Sequence, residues 1–234
     1  MFALLGMVDG RELDRPVRRA DVSTGMSADC IATLDPVSST KCADAKRCGA
    51  IVLTRHGEPD LSRKVRLNAR GYAAWWARYE ETGLKPGQAP PPALSDFAKD
   101  AVLICSTRPR SIQSARAISE GAFEIDVCLI EAPLPPPKWP SWLKLAPRTW
   151  GFFARFWWWF FNHHDGQESR AQAEVRADAV AERLVAMAEQ GQDVLVVAHG
   201  FFNTMIGHAL NRRGWKLIDN QGYRYWSSRR FERG

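Results

Sequence analysis

Three nearly continuous apolar runs of strand length, at 50–55, 101–105 and 193–198, each stop at polar residues and lead on into helix-like segments. Runs of this kind, interleaved with helices, predict a parallel sheet buried on both faces. The first delivers Arg55-His56-Gly57-Glu58, the second Ser106-Thr107-Arg108-Pro109-Arg110, the third His199-Gly200. Ligands of such sheets sit beyond the carboxyl ends of the strands, where all three polar sets fall. The spacing predicts helices over about 68–82, 109–120, 168–190 and 201–211, and a short helical piece at Leu94-Ser95-Asp96-Phe97. Val180, Leu184, Val185 and Met187 mark the buried face of the third long helix, and Gly191 ends it. A short strand is expected at 126–130, and Tyr223-Arg224-Tyr225-Trp226 reads as an edge strand.

The region 132–165 departs from this rhythm and reads as a lid-like insertion. Pro133, Pro135, Pro136, Pro137 and Pro140 stiffen its entry, and Phe152-Phe153-Ala154-Arg155-Phe156-Trp157-Trp158-Trp159-Phe160-Phe161 follows. One reading is a helix buried nearly all round against the sheet. The other is an exposed aromatic surface that grips an apolar leaving group or rests on a membrane interface, where Trp is favoured and Lys138, Lys144, Arg148 and Arg155 would meet anionic headgroups. His163-His164-Asp165 lacks the spacing that converges on one metal ion and reads as a polar loop.

Residues 1–47 show no sustained periodicity and are expected to form a flexible tail, with 48–234 as one domain. Met26 offers an alternative start within the tail. The 234 residues carry 32 basic and 26 acidic side chains, a formal charge of +6. The tail is balanced, with seven of each, so the positive excess lies in the domain and suits anionic substrates. No basic run interleaved with aromatics is long enough to favour nucleic acid. Five cysteines without zinc spacing, Cys105 and Cys128 among them as reduced core residues, fit a reducing cytoplasm. No apolar run reaches membrane-spanning length.

The chemistry follows from the strand ends. Neighbouring strands lie about 4.8 Å apart, so adjacent His-terminated strands would set His56 and His199 face to face with room for a phosphoryl group. Arg55 and Arg110 add permanently charged forks that match phosphate oxygens. Nearby cations should hold a histidine neutral, leaving a lone pair able to attack phosphorus. This scheme requires no metal or other cofactor.

These segments resemble the histidine phosphatase superfamily, which includes the phosphoglycerate mutases. Its opening motif stands here as Leu53 to Glu58, and its Leu-Thr-x-x-Gly as Leu67-Asn68-Ala69-Arg70-Gly71. Its second-arginine motif runs from Ser106 through Arg110 to Gln113-Ser114-Ala115, and its second histidine motif is Val196-Val197-Ala198-His199-Gly200. The four occur in the family's order. The resemblance implies a three-layer α/β/α sandwich with a mostly parallel central sheet. It implies His56 as nucleophile, with Arg55, Arg110 and His199 completing the phosphate pocket. The family's proton donor follows the second-arginine helix; Glu131 matches best, with Glu124 and Asp126 as alternatives. Many relatives place Ser or Thr where this chain has Pro59. They often place a phosphate-binding Asn six residues after the nucleophile, where Ser62 stands here as the substitute donor.

The expected activity is metal-independent hydrolysis of a small phosphomonoester, with an apolar leaving group suggested by the aromatic insertion. The alternatives are a mutase-type phosphotransferase and a catalytically silent protein that binds a phosphorylated ligand in the same pocket.

Overall fold

The computed structural model describes residues 47–234; the expected tail at 1–47 lies, but for its last residue, outside them, as does Met26. Among the described residues there are six strands and six α-helices, interleaved along the sequence. The strands are β1 (Ile51–Arg55), β2 (Val102–Ser106), β3 (Glu124–Asp126), β4 (Val194–Ala198), β5 (Trp215–Asn220) and β6 (Ser228–Arg233). The helices are α1 (Ala69–Glu81), α2 (Pro92–Ala98), α3 (Pro109–Ile118), α4 (Pro147–Phe161), α5 (Arg170–Glu189) and α6 (Gly200–Arg212).

The sheet order is β3-β2-β4-β1-β6-β5. β1 to β4 run parallel, and β6 alone opposes its neighbours, pairing antiparallel with both β1 and β5. The apolar runs account for the layering. Ile51, Leu53, Val194 and Val196 point to one face, where Ala177, Val180 and Leu184 of α5 and Phe202, Ile206 and Leu210 of α6 cover them. Val52, Leu103, Leu195 and Val197 point to the other, against Leu94 of α2 and Ala115 and Ile118 of α3. This period-two division is what a strand buried on both faces requires, and it yields the three-layer α/β/α sandwich.

Helix boundaries follow local chemistry. Asn68 caps α1 by accepting from the Gly71 amide at 2.8 Å, which gives the Asn-Ala-Arg-Gly segment a structural purpose. Ser169 and Gln172 form a reciprocal capping box at α5. Pro109 opens α3 in its first turn.

Three sequence expectations need correction. The strand expected at 126–130 is instead β3 at Glu124–Asp126 followed by one 3-10 turn over Val127–Leu129. Asp126 accepts from the Cys128 amide at 2.7 Å, folding the chain out of the sheet. The edge strand expected at 223–226 is a turn: the antiparallel edge is the β5–β6 pair, and Trp226 adopts a left-handed φ of 63° between them. Cys105 is a buried free thiol; Cys128, expected to be reduced as well, is disulfide-bonded.

The aromatic insertion packs off the sheet. Trp150 and Ala154 of α4 join Tyr72, Trp75 and Tyr79 of α1 and Leu134 in a third core. Trp158, one turn further on, is fully buried in the α5–α6 core. Burying a large side chain contributes about 1.5–3 kcal/mol, so Trp150 and Trp158 anchor α4 firmly. The opposite face is bare: Phe152, Phe160 and Phe161 are each about two-thirds exposed. The helix is therefore not buried all round. No helix among the described residues is long and apolar enough to cross a membrane.

Candidate active site

β1 and β4 are neighbours in register, with Arg55 opposite Ala198. The next residues, His56 and His199, therefore leave the sheet side by side. Their ring centroids lie 5.2 Å apart with planes at 65°. Both histidines are buried, and burial is the main cause that pulls each well below the ordinary imidazole range. Arg110 and then Arg55 push His56 further in the same direction. Desolvation thus contributes more than the neighbouring cations that the sequence pointed to.

The tautomers can be read from the partners. His56 Nδ1 lies 2.7 Å from the Gly57 carbonyl, which can only accept, so Nδ1 carries the proton and Nε2 keeps its lone pair. Arg110 Nε donates to that Nε2 at 3.2 Å. Arg110 also approaches His199 Nδ1 through Nη2 at 3.3 Å. A guanidinium cannot accept, so His199 is protonated on Nε2 and donates to Ser106 Oγ at 3.0 Å. Ser106 at the end of β2 thereby fixes one ring of the pair.

Arg110 is the hub of the site and is fully buried. Glu80 accepts from its Nη2 at 2.7 Å, and the Tyr79 carbonyl from Nη1 at 2.8 Å. Arg108 Nε lies 2.7 Å from the other Glu80 oxygen. The last turn of α1 thus neutralises and aims the guanidinium. Ser114 Oγ accepts from the Gly57 amide and donates to the Arg110 carbonyl, tying the two motifs together. Gly57 has a reason to be glycine: a Cβ there would meet the Trp226 ring at 2.5 Å.

These groups floor a cavity of about 410 Å³, a volume suited to a small molecule. Of the site residues expected from sequence, Arg55, His56, Arg110, Glu131 and His199 all border it. Arg55 donates to the Tyr223 carbonyl at 2.6 Å and lies 4.4 Å over the Tyr225 ring. Glu131 sits at the start of α6, where its Oε1 accepts from the Phe202 amide at 3.0 Å and its Oε2 from Phe201 at 3.3 Å. Ser62 is not brought in. Its Oγ accepts from the Lys64 amide within its own turn and its carbonyl from Trp75 Nε1; Ser62 is exposed, and its neighbour Arg63 lines the cavity instead. Glu124 and Asp126, the alternative donors, are engaged with Arg183 on α5 and do not line the cavity.

Sequence reasoning also missed Glu80, Tyr79 and Arg63. Arg63 donates to Tyr79 Oη at 3.0 Å and adds its guanidinium to the cavity lining. The roof is aromatic, from Tyr72, Trp75, Trp76 and Phe152, with Arg155 among them. Tyr72 Oη is buried without a hydrogen-bond partner, and burial drives its pKa up. Burial also lowers Arg155, to about 10. Among the described residues no group of three His, Cys, Asp or Glu side chains could hold a metal ion.

The chain is similar to several proteins of known structure. A mycobacterial hydrolase of known structure is similar at 19% identity over 79% of this chain and 89% of its own, with a TM-score of 0.53. A mycobacterial glucosyl-3-phosphoglycerate phosphatase is similar at 20% identity over 71% and 81%, with a TM-score of 0.45. A phosphoserine phosphatase from Entamoeba histolytica, solved with phosphoserine, is similar at 14% identity over 70% and 80%, with a TM-score of 0.43. No curated protein matches. The profile of the histidine phosphatase superfamily (branch 1) matches residues 51–232, which hold every residue that lines the cavity, and this chain belongs to that superfamily.

Proposed function

We propose that the protein is a metal-independent phosphomonoester hydrolase that works through a phosphohistidine on His56. The observation that carries this reading is the convergence of a neutral imidazole lone pair, His56 Nε2, with the buried Arg110 guanidinium and His199 at the floor of one cavity. A phosphate seated on Arg110 and Arg55 would displace the 3.2 Å contact between Arg110 Nε and His56 Nε2. The freed lone pair then faces phosphorus.

In the first step the P–N bond to His56 forms as the bond from phosphorus to the leaving oxygen breaks. Glu131, taken as its carboxylic acid, gives that oxygen a proton. Water then attacks phosphorus, its proton passes to the Glu131 carboxylate, and the P–N bond breaks to release inorganic phosphate. Arg55, Arg110 and His199 hold charge on the equatorial oxygens, the main task in such transfers. Permanently charged guanidinium groups do here what a divalent cation does in other phosphotransferases. The substrate is read as a small phosphomonoester, and the aromatic roof favours an apolar leaving group.

The test is turnover of p-nitrophenyl phosphate in the presence of EDTA. The parent should hydrolyse it, and His56→Ala should lose at least about two orders of magnitude, because no neighbouring group replaces the attacking nitrogen. Equal rates from the two proteins would overturn the assignment.

A further inference from the structure

The aromatic helix α4 carries a feature that the hydrolysis of a small soluble ester does not use. Arg148, Phe152, Phe156 and Phe160 are spaced four residues apart and share one face. Phe152 and Phe160 are 66% exposed, Phe156 38%, and Phe161 beside them 64%. At roughly 200 Å² per ring, the four phenylalanines leave about 450 Å² of apolar surface in water. A patch of that size falls in the range of the largest apolar patch on a monomer, which often serves a function. Arg155, Trp150 and Trp158 point inward, so the packing of the helix does not need this outer face.

Charge identifies what covers it. From Ala132 to His164 the chain holds not one Asp or Glu, while Lys138, Lys144, Arg148 and Arg155 fall within that stretch. Lys144 and Arg148 are exposed, Lys138 pairs loosely with Asp165 at 3.7 Å, and the inward-pointing Arg155 lies 4.0 Å from Glu131. Exposed Trp142, 77% accessible, precedes the helix. Bare rings flanked by cations fit the interface of an anionic bilayer. The face is also continuous with the site, because Phe152 and Arg148 belong both to the exposed stripe and to the cavity lining. Trp75, Trp76 and Leu134 line the same cavity as Phe152, with Arg155 among them.

We propose that the aromatic face of α4 docks on an anionic lipid surface and passes a lipid phosphomonoester across Phe152 to His56. The substrate class is then an amphiphile whose acyl portion stays with the bilayer while its terminal phosphate reaches Arg110. This rests on the reading of the site as a phosphatase, and it names the class of ester.

The experiment uses the full chain, with vesicles of phosphatidylcholine alone or mixed with phosphatidylglycerol, and a third set carrying phosphatidic acid. The parent should cosediment with the anionic vesicles, less so at high salt, and release phosphate from phosphatidic acid faster than from glycerol phosphate. Phe156→Ser with Phe160→Ser, neither of which lines the cavity, should lose at least about tenfold in both vesicle binding and vesicle-borne turnover. Its rate on p-nitrophenyl phosphate should stay within about twofold of the parent. Lys144→Glu, a second variant that leaves the helix face intact, should weaken binding to anionic vesicles alone. Parent protein that stays in the supernatant, binding unchanged by these substitutions, or a parent dimer that the serine variant splits without any vesicle binding would each overturn the proposal. So would vesicle binding without preference for phosphatidic acid over glycerol phosphate. Loss of p-nitrophenyl phosphate turnover in the parent would instead sink the phosphatase reading and leave the docking result standing.

Discussion

Arg110 donates through Nε to His56 Nε2 at 3.2 Å from a position with no exposed surface. The same guanidinium is held by Glu80 and by the Tyr79 carbonyl. Removing it leaves the mostly buried Glu80 carboxylate with Arg108, at 2.7 Å, as its remaining cationic partner. Breaking a buried pair from one side costs about 3–5 kcal/mol, and Arg108 offsets part of that loss. Arg110→Ala should therefore lower both turnover and the urea midpoint. Arg110→Lys should recover part of the stability and little activity, because a single ammonium cannot hold Glu80, Tyr79 and phosphate in one plane.

His56 and His199, both buried at the cavity floor, should stay neutral at pH values where an ordinary imidazole, near 6.5, takes up a proton. Their folded pKa values are depressed, chiefly by burial. The unfolded chain therefore binds more protons below about pH 6.5, so stability is full above that value and declines as the pH falls toward the folded values. NMR titration should show two histidine ring signals that do not move between about pH 6 and 8. Urea midpoints should fall on acidification, with a shallower slope in His56→Ala.

Ser106 orients His199 by accepting its Nε2 proton at 3.0 Å. Ser106→Ala removes that acceptor and frees the tautomer. Steady-state kinetics should show kcat down by roughly ten- to a hundredfold with an unchanged melting temperature.

Glu131→Gln separates proton donation from binding. A poor leaving group needs the proton and a good one does not, so an alkyl phosphate should lose about two orders of magnitude. p-Nitrophenyl phosphate should lose far less. Equal losses on the two substrates would assign Glu131 to shaping the start of α6, where its oxygens accept the Phe201 and Phe202 amides.

Gly57→Ala tests the contact that seats the β5–β6 turn over the site. Its Cβ would lie 2.5 Å from Trp226, and overpacking of this kind costs about 1–3 kcal/mol. Thermal unfolding should register that loss, and Trp226 fluorescence should shift as the ring gives way.

What the sequence revealed was what local pattern encodes. The runs that became β1, β2 and β4 are apolar on both faces, so the parallel sheet and the side-by-side exit of His56 and His199 were legible. Glu80 was not, because an acidic residue in the last turn of α1 is indistinguishable in sequence from a solvated one until Arg110 folds against it. Tyr223 to Trp226 read as a strand because aromatic residues favour strands; the left-handed Trp226, donating to the Gln88 side chain, is set by tertiary contacts. Ser62 failed for a related reason. Counting six residues from His56 reached the right loop, but the direction of each side chain is set by a turn that the Lys64 amide closes. The exposure of α4 was open in sequence because Phe and Trp occupy every side of it, and only the packing of Trp150 and Trp158 picks the buried one.

The covalent intermediate is the most direct point of attack. Protein quenched during turnover and digested under alkaline conditions should yield one phosphorylated peptide, spanning His56, with a bond stable to alkali and labile to acid. An unmodified His56 peptide in parent protein quenched at full turnover, together with full turnover in His56→Ala, would contradict the account.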